Sequence, residues 1–307
     1  MSNPSLAVSE DIELGFADAA PLSERNFVRI CAVIRESCGI QTTSKKRTLV
    51  EGRMRRRMRV LDIADPNAYS RLLLENDPAQ EELAHFIDAV TTNKTDFFRE
   101  PQHFEYLRRH LFPQAVAAGQ RSLKIWSAAS STGAEAYTLA MVADDFFTSR
   151  SGFKVTILAT DISSEVLGAG VAALYPVTMM EPIPESFRRR YIMLARDSSR
   201  GQFRIVPKLR NQVKFQRINL IDDRYRFDRD YDIIFLRNVL IYFDRATQKA
   251  VLERLAAHLK PGGHLFLGHS ETLAGHGLPL KQVANTNEAP AEAPVEAAPE
   301  ATEGQEG

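Results

Sequence analysis

With 307 residues, 44% hydrophobic and 25% charged, the chain is long enough to bury one large core and a smaller one. No stretch approaches the roughly 18 consecutive apolar residues of a membrane span. The opening MSNPSLAVSEDIELGF lacks the basic segment and apolar run of a secretory signal, so a cytoplasmic protein is expected.

The formal net charge of zero hides an asymmetry. Glu10, Asp11, Glu13 and Asp18 open the chain and Glu288, Glu292, Glu296, Glu300, Glu303 and Glu306 close it, with no Lys or Arg beside them. Those ten acids leave residues 21–281 at +10, a charge suited to an acidic partner, protein or nucleic acid. Two cysteines, Cys31 and Cys38, lie seven apart in a helical pattern and read as buried free thiols rather than a disulfide or zinc site. No metal is expected, because His103, His110, His264 and His269 have no set of partners at ligand spacing.

Residues 1–20 read as a flexible arm. Helical spacing then runs through residues 21–90: Phe27, Ile30, Cys31, Ile34 and Cys38 in one segment, Val50, Met54, Met58 and Leu61 in the next, then Asn67–Glu75 and Ala79–Val90. This predicts a small all-helical domain. On the second helix Arg55, Arg56 and Arg59 point away from the apolar arc, with Arg53 and Arg57 at its margin. From residue 122 the pattern changes to short apolar runs separated by helix-length segments. Strands are expected at Leu123–Ala128, Lys154–Thr160, Val213–Arg217, Asp232–Leu236 and His264–Gly268, with helices at about 134–147, 163–174 and 244–259. Lys260-Pro261-Gly262-Gly263 reads as a stop between the last helix and the last of these strands. Alternation of this kind predicts a doubly wound, Rossmann-like α/β domain over residues 91–284. The long interval between Asp161 and Val213 predicts an inserted small β-subdomain at about 176–212, with a Pro-initiated segment Pro184–Leu194 and a strand Gln202–Val206. Residues 285–307, rich in Ala, Pro and Glu, cannot bury a core and read as a disordered acidic tail.

Two strand ends carry candidate chemistry. After the first strand come Ser127-Ala128-Ala129-Ser130-Ser131-Thr132-Gly133, small residues that let a ligand approach the backbone. Neither G-x-G-x-x-G nor a P-loop occurs. Glu135, in the first turn of the next helix, disfavours phosphate; it suits an ammonium or sulfonium group, or is simply a favourable first-turn acid. Asp161 ends the second strand, where a carboxylate can accept from ribose hydroxyls or cap the following helix. Together they favour a nucleoside ligand without phosphates.

Six blocks, TNKTDFFRE (92–100), WSAASSTGAEAYTLAM (126–141), ILATDIS (157–163), INL (218–220), FLRNVLIYFD (235–244) and PGGHLFLGHSE (261–271), resemble in order and spacing the signatures of the CheR chemotaxis receptor methyltransferases. The resemblance spans about residues 25–280. It implies transfer of a methyl group from S-adenosyl-L-methionine to glutamate side chains of chemoreceptors, leaving S-adenosyl-L-homocysteine. Its implied cofactor residues are Asn93, Thr95, Arg99, Glu135, Asp161, Asn219, Leu220, Arg237 and Asn238. Asp161 is implied to hold the ribose, Glu135 to face the amino-acid part, Arg99 to lie near its carboxylate and the methyl, and Tyr242 to border the entrance for the acceptor.

The resemblance also implies a monomer that meets the membrane only through its receptors. Arg53, Arg55, Arg56 and Arg59 would dock the acidic cytoplasmic receptor helices, and the small β-subdomain in some members binds a pentapeptide at the receptor C-terminus. The chain departs from the family's STGEEPYS, reading Ser131-Thr132-Gly133-Ala134-Glu135-Ala136-Tyr137-Thr138, and its expected last strand, Leu280–Thr286, lacks the usual aromatic pair. Two other functions compete: a non-catalytic cofactor-sensing module, disfavoured by Arg99, Asp161 and Tyr242, and a nucleic-acid methyltransferase. The latter would fit the basic core, but the Asn/Asp-Pro-Pro-aromatic motif is missing and no nucleic acid is expected.

Overall fold

The computed structural model describes residues 21–77, 80–150, 152–278, 280 and 283. The expected N-terminal arm, the acidic tail and most of the expected strand Leu280–Thr286 lie outside the described residues.

Four helices come first: α1 (Glu24–Cys38), α2 (Arg47–Val60), α3 (Pro66–Glu75) and α4 (Glu81–Val90). Their ends follow local chemistry. Ser23 caps α1 by accepting from Asn26 N, Gly39 closes it in the left-handed region, and Asp65 with Pro66 starts α3. Phe27, Ile30, Ile34, Val50, Met54, Met58, Tyr69 and Phe86 form their common core. Leu61, expected in the buried arc of α2, is instead its C-cap and 37% exposed, because the helix ends one residue too early to turn it inward. Cys38 is buried, but Cys31 only half so.

A helix with a π-turn, α5 (Pro101–Tyr106), Leu107–Leu111 and α6 (Phe112–Ala117), leads into β1 (Ser122–Ala128), α7 (Ala134–Phe147), β2 (Lys154–Asp161) and α8 (Ser164–Ala172). The insertion then contributes β3 (Leu174–Pro176), α9 (Glu185–Tyr191), β4 (Ile192–Leu194), β5 (Gln202–Ile205) and α10 (Pro207–Arg210), before β6 (Val213–Arg217), β7 (Tyr231–Leu236), α11 (Arg245–Ala256) and β8 (Leu259–Leu267). Two strands of the insertion, β3 and β4, were not expected. They flank β5 in a small antiparallel sheet.

The main sheet is parallel in the order β6-β2-β1-β7-β8. Its direction of winding reverses between β1 and β7, which is where doubly wound sheets open a crevice at their carboxyl ends. The expected stop at Lys260–Gly263 is not one. Leu259 pairs with Tyr231 and His264 with Ile233, so the Pro/Gly stretch is a bulge inside β8. One face of the sheet packs on α7 and the aromatic stack Phe104, Phe235 and Phe266; the other buries Trp126 against Tyr225, Tyr231 and Leu252.

Candidate active site

At the crevice lies a cavity of about 280 Å³, near the lower end of the usual range for small-molecule sites. Asn93, Thr95, Arg99, Glu135, Asp161, Asn219, Leu220, Arg237 and Asn238, drawn from five separate stretches of chain, all line it, as does Tyr242. Cys38 and Ile40 from the end of α1 line it too, so the helical region forms part of its wall.

The loop after β1 is shaped by left-handed residues at Ala129 (φ 60°), Ser131 (φ 50°) and Gly133 (φ 86°). Gly133 has no substitute: besides its φ, an added Cβ would stand 2.9 Å from the Phe215 ring. The two non-glycine residues store strain, of the kind that clusters at ligand sites, and are held from both sides. Ser130 N donates to Thr160 O at 2.8 Å, and Ser131 Oγ donates to Asn93 O at 2.8 Å.

Asp161 is 7% exposed. Its Oδ2 accepts from Ser131 N at 2.8 Å and its Oδ1 from Ser163 N at 3.1 Å. Burial raises its carboxyl above the usual aspartate range, and backbone N–H donors, Ser163 and Ser131 first, partly offset this. Each oxygen keeps a free lone pair for a further donor. The cap of α8 is Ser163, whose side chain accepts from Val166 N, so capping falls to Ser163 rather than to Asp161.

Glu135 accepts from Ser127 Oγ at 2.6 Å. Burial raises its carboxyl, and Arg237 and the Ser127 bond pull it back. The Arg237 side chain is 3% exposed, with Nε 3.5 Å from both Glu135 Oε2 and Glu100 Oε2, and its Nη2 donates to Arg99 O at 2.5 Å. One buried guanidinium thus lies at ion-pair distance from two carboxylates and hydrogen-bonds the backbone of Arg99. Glu100, at φ 56°, was not singled out in the sequence; its place beside Arg99 in TNKTDFFRE was the only signal.

Asn219, in the cavity lining, has further partners. Its Nδ2 donates to Ser37 O at 2.7 Å and its Oδ1 accepts from Ile221 N at 3.3 Å, so the side chain ties α1 to the cavity wall. Around Tyr242, Gln41 N donates to Tyr242 O at 2.8 Å, and the Lys46 ammonium lies 5.7 Å from the ring centroid. Lys46 is the residue from which α2 starts. On α2, Arg57 binds Glu82 through two hydrogen bonds (3.0 and 2.7 Å) and Arg55 lies 3.5 Å from Glu51. None of the ion pairs among the described residues engages Arg53, Arg56 or Arg59.

Among the described residues no group of three or more His, Cys, Asp or Glu could hold a metal, and no helix is long and apolar enough to cross a membrane.

A doubly wound sheet whose switch point carries a small-residue loop, an acid at the tip of the second strand and no phosphate-binding motif fits a nucleoside ligand without phosphates, the kind of cofactor that S-adenosylmethionine-dependent methyltransferases hold. Residues 93–289 match the S-adenosylmethionine-binding domain of the CheR methyltransferases and residues 25–91 their all-alpha domain. The chain belongs to the CheR methyltransferase family. It is 38% identical to the chemotaxis protein methyltransferase of Escherichia coli K12 over 85% of this chain and 89% of that one. The corresponding protein of Klebsiella aerogenes is 37% identical over 84% and 87%. Among solved structures, a TehB-like SAM-dependent methyltransferase from Corynebacterium glutamicum aligns with TM-score 0.30 and 15% identity over 58% of this chain and 77% of that one, too slight a likeness to carry any argument.

Proposed function

We propose that this methyltransferase esterifies glutamate side chains on the cytoplasmic helices of chemoreceptors, with Asp161 holding the cofactor ribose, Glu135 its ammonium group, and Arg99 and Tyr242 flanking the reacting atoms. The observation that carries the reading is the convergence of all ten residues on one cavity at the sheet's switch point. The chemistry of the lining supports this: two buried carboxylates offer acceptors of the kind that a vicinal diol and an ammonium need. Bound there, S-adenosylmethionine supplies a methyl group made electrophilic by its sulfonium.

The acceptor needs no base. A glutamate carboxylate, with an unperturbed pKa of about 4.3, is already an anion at neutral pH. The residues' work is positioning and exclusion of water while opposite charges cancel. Arg99 and Lys46 keep the mouth cationic for that anion, and the arginines of α2 extend the same sign outward from Lys46 to receive acidic receptor helices. The pentapeptide at the receptor C-terminus, where a receptor has one, would add to the small sheet at an edge strand such as β4, whose Met193 and Leu194 are exposed. The enzyme acts as a cytoplasmic monomer. Single-turnover methyl transfer at saturating substrates is expected to be flat from about pH 6 to 8.5; a rate climbing tenfold per pH unit would require a base and contradict this mechanism.

A further inference from the structure

The block PGGHLFLGHSE ends in a residue that lines no part of the cavity. Glu271 sits just past β8 in a turn closed by its own N–H to Gly268 O (3.0 Å), and its carboxylate reaches across to the segment following β7. Oε2 accepts from Asn238 N (2.9 Å) and Gly268 N (2.7 Å). Oε1 accepts from Val239 N (2.8 Å) and Leu240 N (2.7 Å). Four backbone donors from two strand ends thus converge on one side chain. Only a carboxylate offers acceptors alone, with about four lone-pair sites.

The held segment is sharply bent and borders the cavity. Asn238 stands at φ 59°, and Gly268 is packed so closely that a Cβ there would lie 2.8 Å from Asn238 Nδ2 and 2.9 Å from Glu271 Oε2. Leu240, whose N–H the carboxylate takes, opens the 3₁₀ turn Leu240–Tyr242. We propose that Glu271 is the positioning residue of the acceptor side: it fixes Asn238–Leu240 and, through the 3₁₀ turn, places Tyr242 at the cavity mouth. Asp161 and Glu135 stand on β2 and α7, away from this buckle, so of the implied cofactor residues only Asn238, and Arg237 beside it, depend on Glu271.

The inference rests on the proposed role of Tyr242 in receiving the acceptor. In Glu271→Gln the side-chain oxygen serves one pair of donors, and its NH₂ confronts the other pair. The expected result is a kcat for receptor methylation lower by about a hundredfold, the loss that a misplacement near 1 Å can bring, with a much smaller rise in cofactor Kd, below about tenfold, through Asn238. Val251→Ala, a buried cavity on α11 behind the sheet, serves as the comparison for lost stability. If Glu271→Gln, at equal loss of Tm, keeps its turnover as Val251→Ala does, or loses cofactor affinity in proportion to turnover, the inference is overturned. Amide exchange reads the positioning without any acceptor. Val239 and Leu240 are expected to be protected in the wild type and to exchange at least about tenfold faster in Glu271→Gln; equal protection overturns the inference whatever the acceptor proves to be. A wild type that forms no methyl ester, by contrast, removes the glutamate reading and leaves the exchange result to decide the role of Glu271.

Discussion

Replacing Asp161 by Asn keeps the shape of the side chain while removing its charge and turning one acceptor into a donor. Each carboxylate oxygen already takes one backbone N–H, from Ser131 at 2.8 Å and Ser163 at 3.1 Å, which leaves one site per oxygen for a ribose hydroxyl. Asn has a single acceptor oxygen, so the charge-assisted bond to one hydroxyl is lost, and its NH₂ also meets one of the two backbone N–H groups. A hydrogen bond to a charged group is worth about 1.5–3 kcal/mol, which converts to a Kd for S-adenosylhomocysteine raised about 10- to 150-fold. Calorimetry measures this directly, and a 2′,3′-dideoxy analogue isolates the cause. Lacking both hydroxyls, the analogue should bind wild type and variant within about threefold of each other. An equal penalty for both ligands would show that Asp161 acts through the loop at Ser131 and not on the ribose.

Two further perturbations test other parts of the account. Replacing Arg53, Arg56 and Arg59 together by Ala should leave cofactor Kd unchanged and raise the KM for receptor, most at low salt, where exposed charges are least screened; methylation kinetics unaltered at every ionic strength would remove α2 from docking. Burial, with Arg237 adding to it, holds the His103 imidazole down at about 4. Its folded value lies below the unfolded one of about 6.5, so its contribution to stability is present above pH 6.5 and is lost as pH falls towards 4, by about 2 kcal/mol between pH 7 and 5. Urea unfolding of His103→Phe should lack that part of the pH dependence, and an unchanged slope would contradict the assignment.

The legible parts of the fold were those in which several local signals agree. The strand Ser122–Ala128, its small-residue loop and the helix from Ala134 could be read because an apolar run, a left-handed glycine and a helix-forming stretch follow one another. The strands Leu174–Pro176 and Ile192–Leu194 could not. Three residues are too few to show a period of two, and the second follows a helix without a break. Lys260–Gly263 looked like a terminator because Pro and Gly usually end elements, yet pairing on either side absorbs the stretch as a bulge.

At the site, the members were legible through motif spacing, but their division of labour was not. That Asn219 spends its amide on Ser37, that Arg237 pairs with Glu100 and binds the Arg99 backbone, and that Glu271 gathers three N–H groups from the segment after β7 depend on contacts across 31 to 182 residues of chain, which no local pattern encodes.

The acceptor we propose is a glutamate carboxylate on a chemoreceptor. The direct measurement is transfer of labelled methyl from S-adenosylmethionine to a receptor cytoplasmic fragment, with the modified residues mapped by mass spectrometry before and after mild base. Methyl groups are expected on glutamates, released by base as methanol and missing when those glutamates are replaced by alanine. Label that survives base, or that resides on lysine, arginine or RNA, would contradict the proposal.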